Sequence, residues 1–325
     1  MKSAYGLNIP CEDTELTHVG PGAPMGEMLR RHWQPIALSD ELRDLPKKIR
    51  IMCEDLVAFR DKSGKVGILH AHCAHRGSSL EYGRIEAGGI RCCYHGWLYR
   101  TDGKCVDMPC EQPGYAERLD VWQPAYPATE YGGLVFTYMG PPEKQPLFPM
   151  YDIIDTRYRN DVVLRGMRLW GDHSVGFVRD CNWLQHYENV VDPYHLLQLH
   201  SQISGDQFGS AVTAAGKPDI GFEKTPLGVR YRMFRKLPNG SRLERYVECV
   251  LPNIFLVASI HERGERVKDK ERATEMSWAV PVDNEHLMGI SIVAWPAENG
   301  VAVAGWKPGT DTVTSIRPGN LRDRP

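Results

Sequence analysis

Four residues in two short segments of the sequence carry side chains that bind transition metals. Residues 73–77 read Cys-Ala-His-Arg-Gly, and residues 92–97 read Cys-Cys-Tyr-His-Gly-Trp. Two thiolates and two imidazoles suit either a structural zinc site or a [2Fe–2S] cluster with two cysteines on one iron and two histidines on the other. Common zinc fingers take both cysteines from one segment, whereas each segment here supplies one cysteine and one histidine. This distribution favours the cluster, because each segment can then give one ligand to each iron.

The spacing of the two segments resembles that of a Rieske domain, whose family pattern is Cys-x-His-Arg-Gly followed by Cys-x-x-His-Gly-Trp. The resemblance implies one [2Fe–2S] cluster per subunit, with these four ligands: Cys73, His75, Cys92 and His95. Cys93 also stands close to His95, but the family spacing selects Cys92 as the ligand. The nearby cysteines expected not to bind the cluster are Cys93, Cys105 and Cys110. Imidazole ligands make the cluster less negative and set its potential at about −150 to +300 mV, which suits an electron carrier.

A second group of candidate metal ligands lies further along the chain. It consists of Asp192, His195 and His200. The Asp192-Pro193 pair is also typical of a helix start, and His195 could be a core residue of that helix. On an ideal helix, five residues at roughly 100° each separate the two histidines by about 140°, so both face one ion only if the helix is widened or broken. We therefore expect a distorted helix at 195–200.

The pattern Glu-Asn-x-x-Asp-Pro-x-His-x4-His at 188–200 resembles the mononuclear iron motif of the Rieske non-heme iron oxygenases, near their phthalate-dioxygenase-like branch. Residues 20–26, 33–35 and 182–184 resemble the same family. The resemblance implies one Fe(II) per subunit, bound by His195 and His200, with positions left open for O2. It also implies that Asp192 joins His195 to a cluster histidine, His75 or His95, of a neighbouring subunit.

The third iron ligand of the family is an aspartate far downstream of the histidine pair. The aspartates that follow His200 are Asp206, Asp219, Asp269, Asp283, Asp311 and Asp323. None of them carries a convincing motif, and Asp283 is typical of a hairpin turn. We expect that the chain is truncated at its C-terminus and that the third ligand lies beyond residue 325. The alternative is a short family member that uses Asp311 or a nearby residue.

The elements that must position these residues follow from periodicity and turn signals. Apolar residues at 25, 28 and 29 predict a helix that starts at Pro24 and ends near Trp33. Short β-type runs are predicted at 49–52, 56–59, 67–70 and 134–138, with hairpin turns at 61–64 and 101–104. Beyond residue 150 we expect a helical region at about 174–200 and strands at 229–234, 245–250, 276–281 and 287–295.

This order of elements predicts an α+β fold, because strands that follow strands form antiparallel sheets. The resemblance implies a small antiparallel β Rieske domain inserted in a larger helix-grip catalytic domain. We expect residues 1–48 to be the N-terminal helical part of the catalytic domain. Residues 49–149 are expected to be the Rieske domain, and residues 150–325 the catalytic iron domain, incomplete at its end.

Composition excludes several classes of function. Lys and Arg number 39 and Asp and Glu 41, so the net charge is 39 − 41 = −2, which gives no electrostatic reason to bind nucleic acid or an anionic membrane. No apolar run reaches the ~18 residues of a membrane span, and the N-terminus lacks a signal-peptide pattern, which favours the cytoplasm. Nine cysteines without a secretory signal make a disulfide scaffold a poor interpretation.

The family resemblance implies an oxygenase component. A flavin-containing NADH- or NADPH-dependent reductase, with or without a ferredoxin, would supply electrons to the cluster, and the iron would use O2 to hydroxylate or O-demethylate a small aromatic substrate. The assembly would be a homotrimer or a multiple of it. The alternatives are a Rieske electron-transfer protein and an incomplete fragment that lacks the third iron ligand. The substrate and the type of oxygenation stay open.

Overall fold

The structure of the protein is a computed structural model. It describes residues 5–6, 11–157, 161–169, 178–199, 217–236, 240, 242–257, 275–298 and 301–302. The α-helices in these ranges are α1 (Thr14–Thr17), α2 (Pro24–Arg30), α3 (Tyr115–Leu119), α4 (Trp183–Val190) and α5 (His195–Gln198). Within the described ranges, no helix is long and apolar enough to cross a membrane.

The strands ahead of residue 140 form three antiparallel sheets. They are β1 (Gln34–Leu38), β2 (Lys47–Ile51), β3 (Glu54–Arg60), β4 (Val66–His70), β5 (Arg84–Glu86), β6 (Gly89–Arg91), β7 (Leu98–Tyr99), β8 (Cys105–Asp107), β9 (Ala125–Tyr126), β10 (Ala128–Tyr131) and β11 (Leu134–Thr137). The strand orders are β1-β11-β10, β2-β3-β4-β9 and β5-β6-β7-β8. The hairpins β3–β4 and β7–β8 turn at the predicted positions, which confirms both turn predictions.

The strands beyond residue 160 form one larger antiparallel sheet. They are β12 (Val162–Arg168), β13 (Val178–Arg179), β14 (Asp219–Thr225), β15 (Gly228–Lys236), β16 (Arg242–Val250), β17 (Ile254–Val257), β18 (Glu275–Pro281), β19 (Leu287–Glu298) and β20 (Val301–Ala302). Their order is β12-β19-β18-β17-β16-β15-β14, with β13 and β20 also paired to β19. The four predicted long strands lie within β15, β16, β18 and β19, and the α+β class is confirmed.

The helical region predicted at about 174–200 was too long. Strand β13 pairs with β19 inside it, and among the described residues of this region helix is found in α4 and α5. Helix α2 begins at Pro24 as predicted but ends at Arg30, earlier than the predicted Trp33. The side-chain amide of Gln34, on β1, donates to the carbonyl of Leu29 at 3.2 Å and so satisfies a carbonyl of the last helical turn.

Two large hydrophobic cores and one small cluster (Tyr231, Met233 and Val247) lie in the described ranges. The larger core joins β1 and β11 to α4 and the large sheet, and its members include Ile36, Phe136, Trp183, Trp278 and Ile290. The smaller core lies beneath residues 73–97 and includes Val57, Leu69, Ile90, Tyr99 and Cys105. Each large side chain buried in this way stabilises the fold by about 1.5–3 kcal/mol relative to leaving it exposed.

A buried pair of amides links β1 to the large sheet. Asn253 donates to Gln34 at 2.8 Å and to the carbonyl of Ala279 at 3.0 Å, and it accepts from the Gln34 amide at 3.3 Å. Because both side chains are at most 1% exposed, every bond in this set replaces a lost bond to water. The pair fixes β1 to Asn253, which lies 219 positions later and directly before β17 of the large sheet.

Candidate metal sites

The two ligand-bearing segments form loops with the same backbone pattern. In the first loop the N–H of Cys73 donates to the carbonyl of Ser78 at 2.9 Å, and the N–H of Gly77 donates to the carbonyl of Cys73 at 2.8 Å. In the second loop the N–H of Cys92 donates to the carbonyl at position 97 at 2.9 Å, and the N–H of Gly96 donates to the carbonyl of Cys92 at 3.1 Å. The glycines have φ of +69° and +73°, a backbone region that L side chains rarely adopt. Each loop therefore presents its cysteine and its histidine from a similar tight turn.

The four predicted cluster ligands are brought together by these loops. Cys73 and Cys92 are each 3% exposed, and burial together with the neighbouring Cys73 thiol raises the pKa of Cys92. The rings of His75 and His95 have centroids 4.7 Å apart. Burial and the adjacent His95 lower the pKa of His75, which favours the neutral imidazole that a metal ion needs. The two cysteines are thus buried, and the two histidines are half-buried.

One ring nitrogen of this group is suited to bind a metal ion. The Nδ1 of His95 is buried and has no hydrogen-bond partner in the described part of the chain. A buried ring nitrogen without a partner is costly, and an iron ion bound to it would remove that cost. The set of two thiols and two imidazoles therefore fits a Rieske [2Fe–2S] cluster.

Gln123 holds the first loop from a distant segment, and sequence reasoning missed it. Its side-chain amide donates to the carbonyls of His70 and His72, both at 2.8 Å, and accepts from the N–H of Ala74 at 2.7 Å. The side chain is 1% exposed, so these three bonds are made away from water. No local signal in the sequence could identify an isolated glutamine as a clamp on a loop fifty residues earlier.

Arg91 holds the second loop in a similar way. Its guanidinium donates to the carbonyl of Gly96 at 2.5 Å and to Asp107 at 2.7 Å. The same group makes two bonds of 2.9 Å to the carboxylate of Glu86. These bonds lower the pKa of Glu86 to about 2, so the carboxylate stays charged. The position of Arg91 directly before Cys92 is the signal that sequence reasoning could have used.

Three other cysteines lie near this group. Cys105 is buried in the smaller core, where burial raises the pKa of its thiol to about 11. Cys93 is exposed and lies 3.8 Å from the hydroxyl of Ser78, and Cys110 is exposed and lies 3.7 Å from the carbonyl of His95. All nine cysteines of the chain fall in the described ranges, and each is free.

Helix α4 leads to the second candidate site. The side chain of Asn182 caps the helix by accepting from the N–H of Leu184 at 3.0 Å, and its amide donates to the carbonyls of Thr17 and Asn284 at 2.9 and 2.6 Å. These bonds fix the helix start between the N-terminal segment and the turn after β18. His186 on this helix is half-buried and packs against Phe255, and desolvation, with Arg179 and His195 nearby, lowers its pKa to about 4.

Asp192 and His195 lie next to each other at the start of α5. One carboxylate oxygen of Asp192 accepts from the N–H of Tyr194 at 2.8 Å, and the other lies 3.8 Å from the Nδ1 of His195. The helix begins at His195 rather than directly after Asp192, and Leu199 follows it as a single π-type residue whose N–H donates to the carbonyl of His195. The distortion that we expected between the two histidines stays a prediction. His200 itself lies outside the described residues.

Two of the six candidate aspartates for the third iron ligand lie in the described residues, and four lie outside them. Asp283 is held in the turn between β18 and β19, where one oxygen lies 2.7 Å from the Nδ1 of His286, as the hairpin interpretation requires. Asp219 begins the edge strand β14 and is exposed. The other candidates, Asp206, Asp269, Asp311 and Asp323, lie outside the described residues. Among the residues that the structure describes, no three His, Cys, Asp or Glu side chains converge on one ion; the four cluster candidates would give two ligands to each iron.

Comparisons with known proteins agree with the first site. Residues 32–127 match the model of the Rieske [2Fe-2S] domain. The chain is 44% identical to the phenoxybenzoate dioxygenase subunit alpha of Ectopseudomonas oleovorans over 280 residues, which cover 85% of this chain and 66% of that protein. It is 41% identical to the tert-butanol monooxygenase / tert-amyl alcohol desaturase oxygenase subunit of Aquincola tertiaricarbonis, over 86% of this chain and 59% of that protein.

A third relative is covered over more of its length. The chain is 31% identical to the 5,5'-dehydrodivanillate O-demethylase oxygenase subunit of a Sphingobium species, and the match covers 96% of this chain and 74% of that protein. By contrast, the chain spans less than two thirds of the first two relatives. All three of these relatives are oxygenase components by name.

Solved structures share the fold at low sequence identity. The crystal structure of dicamba monooxygenase bound to dicamba aligns with a TM-score of 0.60 at 19% identity, over 82% of this chain and 77% of that one. The reduced complex between oxygenase and ferredoxin in carbazole 1,9a-dioxygenase aligns with a TM-score of 0.55 at 20% identity, over 88% of this chain and 73% of that one. The chain therefore shares the fold of these two proteins.

Proposed function

The chain belongs to the family of Rieske non-heme iron oxygenase alpha subunits, and on this premise we propose that it is the oxygenase component of a two-site enzyme. The cluster would supply single electrons, and a mononuclear Fe(II) would supply O2 activation beside the substrate. Cys73, His75, Cys92 and His95 would hold the cluster, and His195 and His200 would hold the iron with a carboxylate. The product would be a hydroxylated or O-demethylated small molecule.

The adjacency of Asp192 and His195 is the observation that supports the second site best. The carboxylate is 48% exposed and the imidazole 17% exposed, so the pair stands at the edge of the larger core and can be reached from outside. A carboxylate beside a metal-binding imidazole orients the ring and increases its basicity. The exposed side of Asp192 is free to meet a cluster histidine of a second copy of the chain, as the family arrangement requires.

The partners follow from this proposal. An oligomer, which we propose to be a homotrimer or a multiple of it, would bring the cluster of one subunit to the iron of the next. Electrons would come from a flavin-dependent NAD(P)H reductase, with or without a ferredoxin; the carbazole oxygenase that shares this fold is named in a complex with a ferredoxin. We propose a cytoplasmic location, since reductase and NAD(P)H are available there.

Metal analysis and oxygen consumption test the proposal together. We expect about three iron atoms per chain, of which about two belong to the cluster. His195→Ala should remove about one iron and abolish substrate-dependent oxygen consumption, while the visible absorption of the cluster is unchanged. An iron content of about three in the variant, or undiminished turnover, would contradict the assigned role of His195.

The rival function is electron transfer alone. It would give about two iron atoms per chain and no substrate-dependent oxygen consumption. The large sheet with α4 and α5 favours the oxygenase, because an electron carrier has no use for a second domain with a second ligand group.

A further inference from the structure

A cavity of about 100 Å³ lies between the β1-β11-β10 sheet and the large sheet. Its walls are mostly aromatic rings, which belong to Trp33, Phe136, Phe148 and Trp278. The ring centroids of Phe136 and Phe148 are 4.9 Å apart and those of Phe136 and Trp278 are 5.6 Å apart, both edge to face. An aromatic ring that entered the cavity would continue this arrangement, which aromatic groups prefer.

The cavity lies on the face of the large sheet that is turned away from α4. Ile254 and Trp278 line the cavity and are paired across β17 and β18, so their side chains share one face. Phe255 follows Ile254 on β17 and points to the opposite face, where its ring centroid lies 5.5 Å from that of His186 on α4. The sheet therefore separates the cavity from the second candidate metal site.

Two polar side chains of the lining make no hydrogen bond to the described residues. They are the hydroxyl of Tyr151 and the imidazole of His32. Burial raises the pKa of Tyr151 and lowers the pKa of His32, so both groups are neutral near pH 7, and each can donate or accept a hydrogen bond. The other polar side-chain groups of the lining, on Trp33 and Asn253, already have partners.

The lining also limits the charge of a ligand. No lysine, arginine, aspartate or glutamate of the described residues lines this cavity. A carboxylate that entered it would lose its water without gaining a cationic partner, which is unfavourable. A hydroxyl group costs far less to bury, and it can bond to the free polar groups of the lining.

The size of the cavity limits the ligand to one ring. An enclosed apolar cavity of about 150 Å³ holds benzene. This smaller cavity is open on one side, where Leu147 is 93% exposed, so a single ring can enter with one edge towards the solvent. A mostly apolar pocket with a few polar groups that fix orientation is typical of small-molecule sites.

We propose that this cavity is a second binding site of the chain, which takes an uncharged phenol with a single ring. The ring would lie among the four aromatic side chains, and its hydroxyl would bond to Tyr151, with His32 as a second partner. Hydroxylation or O-demethylation of an aromatic ring yields a phenol, so the cavity would hold the product class of the proposed function. This link to the product rests on the proposed function, whereas the binding itself does not involve the iron.

A nuclear magnetic resonance titration of the metal-loaded 325-residue chain, labelled with ¹⁵N-tryptophan, tests the assignment. The indole N–H of Trp33 donates to the carbonyl of Pro146 at the cavity, so its signal reports on this site, and Trp33→Phe identifies that signal. We expect phenol to shift the signal with higher affinity than toluene, and benzoate to leave it unchanged. The signal of Trp122, which is 50% exposed and lies in the segment before β9, should stay in place.

Tyr151→Phe should weaken phenol binding at this site by about three- to tenfold and leave toluene binding within about twofold, because one hydrogen bond is lost. Tyr115→Phe is the matched control, since Tyr115 is also half-buried but packs against the smaller core. Its phenol affinity should equal that of the unaltered chain. An unmoved Trp33 signal, equal affinities for phenol and toluene or benzoate, unweakened phenol binding in Tyr151→Phe, or an equal loss in Tyr115→Phe would each overturn the proposal.

The two proposals fail in different ways. Phenol binding that depends on Tyr151, in a chain with about two irons and no oxygen consumption, keeps the cavity site and removes the oxygenase function. Substrate-dependent oxygen consumption in a chain whose Trp33 signal ignores phenol keeps the function and removes the cavity site.

Discussion

The hydroxyl of Tyr99 lies 3.1 Å from the Sγ of Cys73, and both side chains are buried. Burial and the neighbouring sulfur raise the pKa of Tyr99, so the hydroxyl keeps its proton and can donate it to a thiolate ligand. Such a bond stabilises the more negative, reduced state of a cluster more than the oxidised state.

Tyr99→Phe should therefore lower the midpoint potential of the cluster. A loss of about 1 kcal/mol of differential stabilisation corresponds to a decrease of about 40 mV for a one-electron couple. A redox titration followed by visible circular dichroism measures the change. The hydroxyl of Tyr126 donates to Glu54 at 2.6 Å and not to a cluster ligand, so Tyr126→Phe is the control. The midpoint potential of this variant should match that of the unaltered chain. An unchanged or higher potential in Tyr99→Phe would contradict the donor role.

Gln123→Leu should destabilise the first cluster loop. The substitution leaves the carbonyls of His70 and His72 and the N–H of Ala74 without their buried partner, at a cost of about 2–4 kcal/mol. Urea unfolding and the rate of bleaching on heating measure the loss. Gln145→Leu, at an exposed position, should change stability by at most about 0.5 kcal/mol. Similar stability of the two variants would show that Gln123 is no clamp.

The ion pair of Glu86 with Arg91 should give a defined pH dependence. Hydrogen bonds from Arg91 depress the pKa of Glu86 from its usual 4.5 to about 2. Because the pKa of Glu86 is lower in the folded chain than in the unfolded chain, its charged carboxylate stabilises the folded state at pH values above about 4.5. This contribution is lost as the pH falls from about 4.5 to about 2. Glu86→Gln should thus be less stable than the unaltered chain at pH 7, and the difference in melting temperature should shrink below about pH 4.5. A difference that grows on acidification would have the wrong sign.

Asp192→Asn should separate the helix-start role of this side chain from its charge. The amide oxygen can still accept from the N–H of Tyr194, so α5 should persist in circular dichroism. Loss of the carboxylate beside His195 should lower substrate-dependent oxygen consumption by about 10- to 100-fold. Asp180→Asn removes a charge that is 84% exposed on the same segment and should leave turnover unaffected. Equal activities of the two variants would exclude a role for the Asp192 charge.

Local patterns predicted the parts of the fold that depend on neighbouring residues. The cysteine and histidine spacing identified the two loops, and Pro24 identified the start of α2. The two hairpin turns were predictable for the same reason, because the residues that determine a turn lie within four positions of one another. The domain boundaries and the roles of Asp192, His195 and His200 stay predictions.

Contacts between distant segments were not predictable in this way. Gln123 and Tyr99 gain their roles only when the β2-β3-β4-β9 and β5-β6-β7-β8 sheets bring them to the first loop. Strand β13 interrupts the expected helix because β19 supplies a partner for it, a tertiary contact that overrides local preference.

The sheet β1-β11-β10 has a consequence for how such proteins can diversify. The chain leaves this sheet at Leu38, beside Leu134, and returns to it at Ala128, beside Thr137, so both exits flank the single strand β11. The segment between Leu38 and Ala128 is therefore a single insertion whose two ends meet the two ends of one strand. Such an insertion can be lengthened, shortened or exchanged during evolution while the strand pairing of the sheet to which it is attached is kept.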